Sequence, residues 1–147
     1  MSQPQSKAVI AGGLALAIVV AAIGNFIISV IAHAAGASSE FVPLQPPAFI
    51  LFTVVGTAIG AVGWNLVRSK AGRPSAVLRV LVPVVLLLSW VPDPLVAGGM
   101  AGASAGGVVA LMCMHVVVFA VVVPVFLRVF PFPDRAHSAD SKRVSTA

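Results

Sequence analysis

Four long apolar runs constrain this chain more than any motif in it. They extend from Ala8 to about Ala35, from Ala48 to Val67, from Val80 to Val91 and from Val108 to Phe130. Crossing the hydrocarbon core of a bilayer takes about 20 residues of helix, which the first, second and fourth runs supply. The third reaches that length only if its helix begins near Pro74, a favoured first helical residue, with Arg79 bending its charge toward the surface. Pro83 lies early in this run and predicts a kink. Charged side chains make up only 9% of the 147 residues, against 59% hydrophobic, too few to cover a water-soluble domain. The fold class that follows is an all-α integral membrane protein. Its expected form is a four-transmembrane-helix bundle over residues 7–131 with both termini cytoplasmic, followed by a disordered cytoplasmic tail over residues 132–147.

Charge sets the expected orientation. The basic residues are Lys7, Arg68, Lys70, Arg73, Arg79, Arg128, Arg135, Lys142 and Arg143. With the N-terminus inside, all nine fall on the cytoplasmic side, as the positive-inside rule requires, and Glu40 and Asp93 fall on the other. This reads as a multi-pass protein of the plasma membrane, the inner membrane of a bacterium, with the lipid bilayer as its first partner. Nucleic acid is excluded as a partner despite the net charge of +5. The basic residues form three clusters between apolar runs, with no interleaved aromatics on which bases would stack. A cleaved signal peptide competes for the first run, since Lys7 supplies a basic start and Ala32-His33-Ala34 has the small-x-small form of a cleavage site. The run far exceeds the roughly 7–15 apolar residues of a signal peptide, so it is read as a retained span.

The connections are marked by turn chemistry. Gly36 to Pro47 is a loop with three prolines and Glu40, and Arg68 to Arg79 is a basic loop around Gly72 and Pro74. Leu95 to Gly107 is so rich in Gly and Ala that it reads as a loop of low helical commitment. Gly56 and Gly60 form a Gly-x-x-x-Gly pattern with Thr53, Thr57 and Trp64 on much the same stripe. That spacing suits close helix approach, within the chain or in a homo-oligomer. Trp64 and Trp90 fall where an aromatic belt would place them, at opposite membrane boundaries.

Polar groups inside apolar runs are costly and tend to face an interior or a water-filled space. Asn25, Ser29 and His33 follow one another at steps of four, along one helix face. His115 lies about eight residues inside the fourth run, about 10–12 Å deep by helix rise. Asp93 is held between Pro92 and Pro94, and Glu40 lies in the other acidic connection. Together these would form a polar pocket opening outward, with Asp93, Glu40 and His115 as catalytic candidates. Asn25, Ser29, His33 and Trp90 are the ligand-contacting candidates. A carboxyl and an imidazole at a membrane boundary suit proton exchange with a lipophilic substrate. The plainer alternative is that Asn25 and His115 only hydrogen-bond across helices while Asp93 caps a turn. Met112-Cys113-Met114-His115 has soft-metal residue types, but only Met112 and His115 share a helix face. Cys113 is the only cysteine, which excludes an intrachain disulfide and a cysteine-based zinc site. No metal and no cofactor is assigned.

The Val- and Ala-rich runs, the turn Trp90-Val91-Pro92-Asp93-Pro94 and the pair Met114-His115 resemble those of small, uncharacterised four-span membrane protein families common in actinobacteria. The resemblance covers roughly Lys7 to Phe130 and implies the four-span plan, with no activity to carry over. The function expected from the residues is binding of a lipophilic molecule or a partner helix through the polar pocket. One alternative is a small membrane isomerase or cyclase of a lipid or isoprenoid, with Asp93 and Glu40 as acid or base. Another is a small oligomeric transporter, which would need an acid embedded in the membrane.

Overall fold

A computed structural model describes residues 6–132, and among these residues every regular element is helical. Five α-helices follow in order: α1 Lys7–Ala34, α2 Pro46–Lys70, α3 Pro74–Ser89, α4 Pro92–Ala97 and α5 Ala105–Val129, with a 3-10 turn at Val42–Leu44 before α2. Four stretches are long and apolar enough to cross a membrane: α1, α2, α5, and α3 continued through α4 as Pro74–Leu95. The expected tail from Pro133 to Ala147, with Arg135, Lys142 and Arg143, lies outside the described residues.

Each boundary has a local cause. Ser6 caps α1 by accepting a hydrogen bond from the Val9 N–H at 3.3 Å, and Ser104 caps α5 in the same way from Gly107 at 3.1 Å. Proline occupies the first turn of α2 and α3, where its missing N–H costs nothing. α1 ends at Gly36, whose φ of +98° suits glycine. There the Ala37 N–H reaches the Ala32 carbonyl and the Gly36 N–H reaches that of His33, a Schellman closure. α3 runs unbroken from Pro74 through Pro83. The stretch expected to be a loop from Leu95 to Gly107 begins within α4, because Pro92 and Pro94 suit a first helical turn, and α5 starts at Ala105.

The most extensive helix pairing is α1 with α5. Small residues make it possible: a β-carbon added at Gly24 would stand 2.6 Å from Val117 Cγ1, and one at Gly13 would stand 2.8 Å from Val129 Cγ1. Ala17 and Ala21, fully enclosed, continue the same stripe at steps of four. α2 lies on α1, and α3 touches α2 and α5. Apolar side chains face outward along the helices, with Phe52 69% and Val80 65% exposed, an exterior suited to lipid tails rather than water.

The interior has two apolar cores and a polar band between them. One end, here the Arg68 end, holds the core of Ala17, Trp64, Leu78, Val122, Phe126, Val129 and Phe130. Arg68 closes it by donating to the Pro131 carbonyl at 3.2 Å and to Asn65 Oδ1 at 3.1 Å, with its guanidinium 5.8 Å from the Phe130 ring centre. Trp64 is only 5% exposed. It stacks on Phe132 at 6.2 Å and meets Phe126 edge-on at 5.5 Å, so it is a packing residue rather than a member of a boundary belt. The other end, the Asp93 end, holds Ala32, Phe41, Leu44, Phe49, Ala97, Ala110 and Met114.

At the Asp93 end the α1–α2 and α4–α5 connections lie against each other. Gly102, at φ +70°, brings its backbone so close to Ser38 and Phe41 that an added β-carbon would stand 2.7 Å from Ser38 Oγ. Ser29 pins the first of these connections by donating to the Leu44 carbonyl at 2.7 Å in a buried setting. Ser29→Ala should lower stability by about 1.5 kcal/mol, the cost of a buried carbonyl left without its donor. Thermal unfolding in detergent measures this, and an unchanged midpoint would mean that another donor replaces it.

Candidate functional site

Between α2, α3 and α5 the helices leave a crevice of about 810 Å³, a volume in the range of small-molecule sites. α2 contributes a face at steps of three and four, including Phe49, Thr53, Gly56, Thr57, Gly60 and Trp64. α3 contributes Leu78, Val82, Val85 and Ser89, and α5 contributes Met114, His115, Val118, Phe119 and Val122. The aromatic cluster around Trp64 closes the Arg68 end. Phe52 and Ile59 of α2 and Leu81 and Val85 of α3 line the crevice and are also exposed. Its mouth therefore opens sideways between α2 and α3, along faces of apolar residues.

Polar groups collect toward the Asp93 end. The N-terminal turn of α4 and the middle of α5 bring Asp93 Oδ2 within 3.4 Å of His115 Nδ1. The same ring nitrogen lies 3.0 Å from the Leu111 carbonyl oxygen. A carbonyl only accepts, so in the neutral ring Nδ1 carries the proton and Nε2 keeps its lone pair. Asn25 lines the crevice from α1 and donates its amide to Thr53 Oγ1 at 3.1 Å, and Thr53 in turn donates to the Phe49 carbonyl at 2.7 Å. Thr57, one turn further along α2, forms no such bond. Among the described residues, four buried side-chain atoms have no hydrogen-bond partner: Asn25 Oδ1, Thr57 Oγ1, Trp64 Nε1 and Asp93 Oδ2. All four belong to residues of the crevice wall.

The structure thus brings Asp93, His115 and Asn25 onto one cavity and places the other candidates elsewhere. Ser29 is committed to the Leu44 carbonyl, and His33 Nδ1 lies 2.7 Å from the Ser29 carbonyl at the end of α1. Glu40 is exposed in its connection, outside the crevice lining. Trp90 donates its indole N–H to the Met112 carbonyl at 3.2 Å, fastening the end of α3 to α5. Cys113 is exposed beside the buried Met114, and no group of three His, Cys, Asp or Glu suited to a metal occurs among the described residues. Thr53, Thr57 and Trp64 are wall residues that the sequence showed only as a helix-packing stripe. Gly60 does meet a neighbour, the Phe126 ring at 3.2 Å from an added β-carbon, but Gly56 faces open space.

Among the described residues these features define an all-helical fold with four helical stretches of membrane-crossing length and a crevice that is polar at one end. The chain belongs to a family of unknown function (DUF6069), which matches residues 5–130. No curated protein and no solved structure matches it.

Proposed function

We propose that this is a multi-pass protein of the cytoplasmic membrane that binds a lipophilic molecule in the crevice between α2, α3 and α5. The observation that carries this reading is a cavity of about 810 Å³ with apolar walls and polar groups at one end. Its sideways mouth suits an occupant that arrives from the bilayer. The orientation part of the proposal rests on charge: Lys7, Arg68, Lys70, Arg73, Arg79 and Arg128 all lie toward the Arg68 end, which is then cytoplasmic, and Asp93 faces out. Both termini are inside, and the likeness to actinobacterial four-span families fits the same plan. Gly56, exposed beside the mouth, is where a second copy would approach in a homo-oligomer.

Val118→Trp, which fills the crevice from α5, tests the binding. Organic extracts of the purified chain should contain a bound lipophilic molecule that the Trp variant lacks, while the variant keeps its helical spectrum. An equal amount of that molecule on both proteins would overturn the reading. A reporter fused to the C-terminus should be cytoplasmic, and an extracytoplasmic signal would overturn the orientation.

The Asp93–His115 contact at 3.4 Å favours a second reading, an isomerase or cyclase of a lipid or isoprenoid with Asp93 exchanging the proton. Under that reading Asp93→Asn abolishes turnover of the extracted molecule, whereas Glu40→Gln has little effect. Under simple binding the extracted molecule is chemically unchanged by incubation with the protein.

A further inference from the structure

The free polar groups of the crevice differ in kind from one end to the other. Toward the Asp93 end the buried atoms without a hydrogen-bond partner are acceptors. Asp93 Oδ2 accepts no hydrogen bond, its nearest polar neighbour being His115 Nδ1 at 3.4 Å, and Asn25 Oδ1 accepts none, since Asn25 meets Thr53 through its nitrogen. In the neutral ring of His115 the Nδ1 proton points at the Leu111 carbonyl, which leaves the Nε2 lone pair as a third acceptor. No Lys or Arg among the described residues stands at this end. At the Arg68 end the unpartnered group is the Trp64 indole N–H, set among aromatic rings. Thr53 and Trp64 are 11 residues apart on α2, about 16 Å by helix rise, and the wall between them is apolar except for Thr57.

We infer that the occupant proposed above is a single-chain amphiphile with a protonated amine head, lying with that head among Asp93, His115 and Asn25 and its tail against Trp64. An ammonium supplies donors to these three acceptors, and it gives an ionised Asp93 a full counter-ion beside the neutral His115 ring, where a buried charge is costly. Charge-assisted hydrogen bonds are roughly twice as strong as neutral ones, so an alcohol head binds more weakly than the amine. A carboxylate head would set two anions side by side and is rejected. This inference rests on the crevice being occupied by a lipophilic molecule and adds the head chemistry and the direction in which the molecule lies.

The chain has two tryptophans, so Trp90→Phe leaves Trp64 as the sole fluorophore at the closed end of the crevice. In detergent micelles the full chain is titrated with a long-chain primary amine, the matching alcohol and the matching carboxylic acid, each brominated on its last carbon. The tail-brominated amine should quench Trp64 at a concentration about tenfold below that of the alcohol, and the acid should quench least. The same amine brominated beside its head should quench little. Adding Asp93→Asn should remove the amine's advantage over the alcohol. An acid as effective as the amine, or a head-brominated amine as effective as the tail-brominated one, would overturn the inference. Equal quenching by all three heads overturns the head chemistry and leaves the occupied crevice standing. No quenching by any of them overturns the occupied crevice as well.

Discussion

Gly24→Ala should destabilise the protein by about 2 kcal/mol, and Val117→Ala in the same chain should restore most of the loss. The added methyl would stand 2.6 Å from Val117 Cγ1, closer than any carbon pair tolerates. Valine cannot swing aside because its branched side chain has one strongly preferred rotamer in a helix. The two helices must then separate along the most extensive contact in the molecule, and overpacking of this kind costs about 1–3 kcal/mol. Val117→Ala alone leaves a small void, whereas the double variant sets one carbon gained on α1 against two lost from α5 and so comes nearer to conserving volume. Thermal unfolding in detergent should therefore rank the parent first, the double variant close behind, and Gly24→Ala last. A Gly24→Ala protein as stable as the parent would show that α1 and α5 do not approach this closely.

A larger loss is expected for Trp64→Ala, about 4 kcal/mol. This side chain joins the face of Phe132 to the edge of Phe126, beneath the Arg68 contacts to Pro131 and Phe130. Removing it deletes two aromatic pairings together with the buried area of the largest side chain in that core. Trp64→Phe should recover much of the stability, since its smaller ring keeps part of both contacts and removes a buried N–H that has no partner. Comparing melting midpoints for the three proteins checks the order. If Trp64→Ala melts with the parent, the aromatic cluster does not close that end of the crevice.

The helices themselves were legible in the sequence because length and hydropathy alone decide them. Even the short run at Val80 begins at Pro74 as its turn chemistry implies, although α3 ends at Ser89 and crossing length is reached only through α4. Which small residues make a contact was less legible. Gly56 and Gly60 announced themselves as a motif, yet the closest helix-to-helix approach occurs at Gly13 and Gly24 on α1, where glycine and alanine recur at steps of four and three without spelling a familiar pattern. The polar stripe of Asn25, Ser29 and His33 was visible as one helix face, but its three members meet different surroundings. A stripe that climbs a helix passes first a cavity, then the Leu44 carbonyl of a connection, then the helix's own end. Depth along the first and fourth runs matches Asn25 with His115, and the acidic connection that carries Asp93 lies over the same region. The crevice was not legible in this way, because a gap between helices depends on how far apart they stand, and one sequence carries no record of that separation.

The buried residues of α3 are Pro74 and Leu78, both in its first turn and a half, and its far end is fastened to α5 through Trp90. From Arg79 to Leu88 no residue is buried. α3 is thus held most firmly at its two ends, with Val82 only partly buried against the core between them and one backbone hydrogen bond missing at Pro83. A molecule entering the crevice would therefore meet, in α3, a wall that is held less firmly at its centre than at its ends.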